Sequence, residues 1–189
     1  MKIAIVSDIH GNLVALNRFL KVIDEEKIET ILNLGDFIGG LYPIEVLNII
    51  KDDKRFISVL GNHDELHRDY ILEEAGIEAV KFINSIPLNR IIEICNKKIL
   101  MVHSSEKSNM DIPVLFTGKS LEEFVESYDK NVDIVLFGHT HLQCFITYYG
   151  DRIIINPGSL GLSYDGNESF LIIDFKEGGV DYIFKKLNI

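Results

Sequence analysis

The sequence predicts an α/β fold, a four-layer α-β-β-α sandwich in which two mixed β-sheets face one another and helices flank them. Three observations carry this expectation. Short apolar runs alternate with stretches of helical periodicity through the first half of the chain, hairpin-like pairs of strands fill the second half, and many apolar runs stop at a polar cluster rich in Asp, Asn or His.

Lys2 to Val6 is continuously apolar after its first residue, as a buried central strand requires. Leu13, Leu16, Leu20 and Ile23 then recur at helical spacing with Asn12 as N-cap, which predicts a helix to about Glu26. Thr30 to Leu34 is a second strand stopped by Gly35-Asp36, and Pro43 opens a helix whose Val46, Leu47 and Ile50 share a face. Phe56 to Leu60 is a third strand. Glu65 to Ser85 reads as helical with a break at Gly76. Beyond Pro87, Arg90 to Cys95 and Lys98 to Val102 read as strands joined by a tight Asn96-Lys97 turn. Ser120 and Glu123 form a capping box that opens a helix to Tyr128. Asp133 to Phe137 is another buried strand, followed by strands near Phe145 to Tyr149, Arg152 to Ile155, Ser169 to Phe175 and Val180 to Lys186. Ser104 to Gly118 lacks periodicity and is the candidate lid or recognition loop.

The 189 residues suit one well-filled core, so 1–189 is expected to be a single domain. With 47% apolar and 25% charged residues the chain is of the folded class, and no apolar stretch approaches the roughly 20 residues that span a bilayer. Its first eight residues fit a strand better than a secretory signal, which makes a cytoplasmic location the expectation. Cys95 and Cys144 lack a metal or disulfide spacing and read as packing residues in strands. The net charge of −10 argues against a broad electrostatic grip on nucleic acid, although bound divalent cations would reverse the field locally.

Asp8 and His10 lie two apart after the first strand, where an extended backbone aims both at one cation. Asp36 ends the next strand, and its two oxygens can serve two metals. Asn62 offers a neutral amide oxygen, and His103, His139 and His141 offer imidazole nitrogens after later strands. Parallel sheets collect ligands beyond their carboxyl ends, where these residues fall. Imidazole, carboxylate and amide donors without thiolate suit Mn, Fe, Zn, Co or Ni better than calcium. Two divalent cations against the two carboxylates leave a positive site for a bridging hydroxide and an anionic phosphoester. His63, not required by either metal, is the candidate catalytic residue, bonding the phosphoryl oxygen or protonating the leaving group. Asp64 can orient that imidazole or cap the helix that follows.

The strings D-x-H at 8 and 10, G-D at 35 and 36, G-N-H-D at 61 to 64, the lone His103 and G-H-T-H at 138 to 141 resemble, in order, the five motifs of the calcineurin-like metallophosphoesterase superfamily. Ser7-Asp8-Ile9-His10-Gly11-Asn12 and Asn156-Pro157-Gly158-Ser159 resemble its small prokaryotic phosphodiesterase branch, related to the retromer subunit Vps29. The resemblance implies a first metal held by Asp8, His10, Asp36 and His141, a second held by Asp36, Asn62, His103 and His139, and His63 as catalytic histidine. It favours manganese and a small phosphoester substrate, and leaves assembly into a homo-oligomer open. Three departures stand out. Ser104 follows the lone histidine where glycine is frequent, Leu160 to Tyr164 lacks the basic residue many small phosphodiesterases carry there, and Phe37-Ile38-Gly39-Gly40 replaces the Asp and Arg of the protein phosphatases.

Two other functions compete with a metal-dependent phosphoesterase: a catalytically silent Vps29-like protein-binding scaffold, and a nuclease. Loss of a ligand or of His63 would favour the scaffold, and neither is lost; the missing basic surplus counts against the nuclease. His67 reads as an ordinary helix residue and Gly39-Gly40 as a flexible turn. Thr117-Gly118-Lys119-Ser120 is no P-loop, because Pro113 stands where its first glycine belongs. Asn156-Pro157-Gly158-Ser159 is expected to be a tight turn that supports the metal site from behind.

Overall fold

The computed structural model describes residues 1–111, 120–148, 152–164 and 166–187. In one sheet β1 (Lys2–Val6) pairs in parallel with β2 (Ile31–Asn33), and β2 with β3 (Phe56–Ser58). On its other side β1 pairs antiparallel with β9 (Ser169–Lys176), which forms a hairpin with β10 (Gly179–Lys186). The second sheet has the order β4 (Asn89–Ile94), β5 (Lys97–Val102), β6 (Ile134–Leu136), β8 (Arg152–Pro157), β7 (Gln143–Tyr148), with β5, β6 and β8 parallel. Both sheets are mixed, as expected.

Alternation along the strands sorts the apolar residues into three layers. Ala4 and Val6 of β1 face Ala15, Leu16, Phe19 and Ile23 of α1 (Leu13–Glu25), while α2 (Pro43–Asp52), α4 (Arg68–Ala75) and α5 (Ile77–Ser85) extend the same layer. Ile3 and Ile5 point the other way, into the space between the sheets, with Ile99, Met101, Ile134 and Leu136. Leu100, Val102 and Val135 then meet Phe124 and Val125 of α6 (Leu121–Glu126). A one-residue slip of β1 would exchange its two faces, so burial on both sides fixes its register and the position of the residues that follow it. Among the described residues no helix is long and apolar enough to cross a membrane.

The caps follow the sequence closely. Asn12 Oδ1 accepts from the Ala15 amide at 3.0 Å, and Ser120 and Glu123 form a reciprocal box. Three details differ. The β4–β5 turn is Cys95-Asn96, one residue earlier than expected: Ile94 pairs with Lys97, and both turn residues are left-handed, as a two-residue type I′ hairpin demands. Cys95 is therefore exposed at a hairpin tip rather than packed in a strand, with its Sγ against Met1 Sδ at 3.8 Å. The helical region after β3 breaks at His67 as well as Gly76, and its first helix, α3 (Asn62–Leu66), starts three residues earlier than Glu65. Of the expected 104–118 loop, residues 112–118 lie outside the described residues.

Candidate metal centre

The carboxyl ends of the parallel strands of both sheets open on the same side, and the polar clusters converge there. Asp8 and His10 follow β1, Asp36 follows β2, Asn62 and His63 begin α3 after β3, His103 follows β5, and His139 and His141 follow β6. All seven expected ligands and His63 are brought together, across a separation of 131 residues between His10 and His141.

The backbone at these positions is strained. Among the described residues, eight non-glycine positions have positive φ, and five of them are Asp8, His10, Asp36, His139 and His141. Left-handed backbone costs an L-residue about 1–2 kcal/mol, so the strand ends carry a burden of several kcal/mol that the surrounding hydrogen bonds must offset. Those bonds lock consecutive turns together: Asp8 N to Gly35 O, His10 N to Asp36 O, Gly161 N to Asp8 O and Gly138 N to His103 O.

Two clusters of donor atoms result. In the first, His10 Nε2 lies 3.1 Å from His141 Nε2 and 3.7 Å from Asp36 Oδ2, and Asp8 Oδ1 lies 3.3 Å from His141 Nε2. In the second, Asn62 Oδ1 is 3.0 Å from both His103 Nε2 and His139 Nδ1, and Asp36 Oδ2 is 3.3 Å from His103 Nε2. Separations of this size are the edges of a coordination polyhedron whose bonds measure about 2.0–2.2 Å. Asp8 Oδ1 is fully buried and has no well-aligned hydrogen-bond donor, a costly state for a carboxylate that a cation would relieve. The residues present therefore fit metal ions.

Other groups fix the imidazoles. His103 Nδ1 faces the Leu34 carbonyl at 2.8 Å and His141 Nδ1 the Leu162 carbonyl at 2.7 Å, so each ring donates there and turns Nε2 to the site. Asn156 Nδ2 holds the Gly138 carbonyl, and Ser159 Oγ holds that of Asp8, which is the supporting role expected of that turn. Burial pushes His10 down to about 4, with Asp8 and Asp36 only partly opposing it. Burial also acts against the charged form of His103, but the Asp36 carboxylate outweighs it and raises the ring to about 9. Asp36, despite its own burial, is held down to about 2 by His103.

Asp64 settles as a cap and brace. Its Oδ2 accepts from the amides of Gly61 and Asp36, and its Oδ1 from that of Ile38, each at 2.9 Å. It ties the β2 and β3 loops together and leaves the His63 ring alone. Gly61 belongs to the same brace, because a Cβ there would fall on the Asp36 amide and carboxylate. Gly61→Ala is expected to lower metal content per folded molecule measurably, with elemental analysis as the check; unchanged content would show that the loop yields. Two residues, Asn109 and His67, do more at the site than the sequence alone indicates. Buried Asn109 donates to Gly61 O and Glu65 Oε2, both at 3.0 Å, tethering the described part of the 104–118 loop to α3. His67 stacks on His63 with ring centroids 5.7 Å apart. The short helix and its break, which bring His67 back over His63, were the missing signal.

The family model for the calcineurin-like phosphoesterase superfamily domain matches residues 1–178. The chain belongs to the calcineurin-like phosphoesterase superfamily. Its members are phosphoesterases that bind divalent metals. Among curated relatives, the uncharacterized protein MJ0912 of Methanocaldococcus jannaschii is 30% identical, over 96% of this chain and 86% of that protein. Phosphodiesterase MJ0936 of the same organism is 27% identical, over 84% and 83%. A crystal structure of a metallophosphoesterase from Sphaerobacter thermophilus superposes with a TM-score of 0.76 at 24% identity, over 100% of this chain and 88% of that one, which carries the likeness of fold.

Proposed function

We infer that this phosphoesterase hydrolyses small phosphoesters, diesters or monoesters, with two divalent cations: one among Asp8, His10, Asp36 and His141, the other among Asp36, Asn62, His103 and His139. The observation that carries the reading is the position of Asp36 Oδ2 between the two donor clusters, 3.7 Å from His10 Nε2 and 3.3 Å from His103 Nε2. Cations bound there would supply Lewis acidity to the phosphoryl oxygen and lower the pKa of the attacking water. Nitrogen and oxygen donors without thiolate suit Mn, Fe, Zn, Co and Ni alike, and the family resemblance favours manganese among them.

The chain's own part in the reaction falls to His63. As the water oxygen bonds to phosphorus, the ester P–O bond breaks with its electron pair on the departing oxygen, which takes a proton from the His63 imidazolium; the proton lost by the water restores that ring. His63 is half-buried and sits edge-on to His10 at 4.7 Å between centroids; a ring nitrogen also lies within 4.8 Å of donor atoms of His10 and Asp36, but each proposed cation has four ligands without it. A scaffold without chemistry has no need for strained backbone at five positions, and that cost supports the hydrolase reading over it. After Mn²⁺ loading, the folded protein is expected to retain metal and to hydrolyse bis(p-nitrophenyl) phosphate. Absence of both overturns the reading.

Metal uptake is expected to release protons. His103, raised to about 9 by Asp36, holds a proton in the metal-free protein at neutral pH and must shed it to offer Nε2. Below about pH 9 affinity should therefore weaken by at least about tenfold per unit as pH falls, and more steeply where His141, raised by the Asp8 carboxylate despite its burial, takes up a proton of its own. His10, pushed down to about 4, adds nothing in this range. Calorimetric titration at pH 7.5 in buffers of different ionisation enthalpy measures the release; heats independent of buffer would contradict it.

A further inference from the structure

An apolar cleft of about 460 Å³ opens beside the candidate metal centre and shares His10 and His63 with it. Its outer wall is built from Val14, Leu41, Tyr42 and Leu162, whose exposures of 54, 85, 42 and 52% make an unusual cluster of bare apolar side chains around one opening. His67, stacked on His63 with planes 21° apart, closes one side. Among the described lining residues none is Asp, Glu, Lys or Arg. The volume lies in the about 300–1,000 Å³ range of small-molecule pockets.

We propose that this cleft receives the leaving group of the phosphoester and selects one that is uncharged and aromatic. The inference rests on the hydrolase reading and deepens it. His63 borders both spaces, so an ester oxygen within its reach sends its organic substituent past His63 into the cleft and away from the charged donors. A charged substituent would lose water there, which is costly, and a carboxylate would find only the edge of His63, whose proton goes to the departing oxygen, whereas a flat neutral ring gains the apolar wall. This gives the absent basic residue after Ser159 a physical meaning: the segment Leu160 to Leu162 contributes Gly161 and Leu162 to the cleft where a cation would favour anionic groups.

The test compares methyl phosphate diesters of two phenols of similar acidity, one neutral and one bearing a carboxylate, on the Mn²⁺-loaded protein. The neutral ester is expected to be preferred by about tenfold or more in kcat/KM, a discrimination within reach of an apolar pocket. In the double variant Val14→Ser/Leu41→Ser the preference should fall to about threefold or less through a raised KM for the neutral ester. Ile91→Ser, at an exposed position on β4 outside the cleft, should keep the wild-type ratio. In the metal-free protein, the neutral phenol alone should shift the His63 and His67 ring signals in NMR spectra more than the carboxylated one. Hydrolysis of both esters at equal efficiency, or a ratio untouched by the double variant, or ring signals that ignore both phenols, overturns the cleft assignment while the hydrolase reading stands. Failure of the folded, metal-loaded protein to cleave either ester overturns both.

Discussion

Asp36→Asn is expected to empty both metal positions together and to reduce turnover by about 100-fold or more. The carboxylate has two duties that an amide cannot share. Its Oδ2 lies between the donor clusters, at 3.7 Å from His10 Nε2 and 3.3 Å from His103 Nε2, and Oδ1 accepts from the His63 amide at 2.7 Å. Asparagine keeps the size and one oxygen, so α3 can still be held by it, but the remaining –NH₂ points donors at a site built to receive cations. The loss of one negative charge matters as much: with Asp8 alone, two divalent cations would face a single carboxylate among the expected ligands. Removal of a supporting group typically costs about 10–100-fold in metal affinity, and a shared ligand should exceed the upper end of that range at both positions. Elemental analysis after Mn²⁺ loading and gel filtration measures the content, and circular dichroism verifies the fold. One tightly held equivalent per chain in this variant would show that Asp36 serves a single cation.

The sequence displayed the positions of the donors far better than the means of holding them. Strand ends were readable because buried strands are apolar runs and Gly-Asp, Gly-Asn and Gly-His interrupt them; from that, the seven expected ligands fall on one edge of two sheets. The left-handed backbone at Asp8, His10, Asp36, His139 and His141 was not readable, since it runs against the intrinsic preference of those residues and is imposed by bonds between turns distant in the chain. For the same reason Asp64 could be read as a cap or as a partner of His63, and the three amides it gathers come from loops 26 to 28 residues away as well as from its own helix. The hairpin turn was displaced by one residue because Asn96 signals a turn without saying which of its turn positions it occupies; pairing of Ile94 with Lys97 decides that, and it puts Cys95 at the exposed tip. His67 reads as an ordinary helix residue because a histidine on a helix is ordinarily a surface residue. The break in the helix at that point, where its Nδ1 meets the His63 carbonyl at 2.8 Å, brings it to the cleft.

His63→Ala should separate chemistry from metal binding. Metal content is expected to stay near the wild-type value, because the His63 contact with Asp36 is made by the backbone amide and survives truncation of the ring. Turnover should fall by about 10²–10⁴-fold, the span ordinarily attributed to a positioned general acid. The size of the loss should depend on the leaving group. An alkoxide needs its proton as the P–O bond breaks, so an alkyl ester should suffer near the upper figure, whereas p-nitrophenolate departs readily without one and should suffer near the lower. The competing role has a geometric basis, since a ring nitrogen of His63 lies within 4.8 Å of donor atoms of His10 and Asp36, close enough for the three to share a cation. If His63 were a ligand, its removal would release metal and depress all esters alike. Metal content and the slope of activity against leaving-group acidity therefore answer together: retained metal with a steepened slope identifies a proton donor, and lost metal with an unchanged slope identifies a ligand.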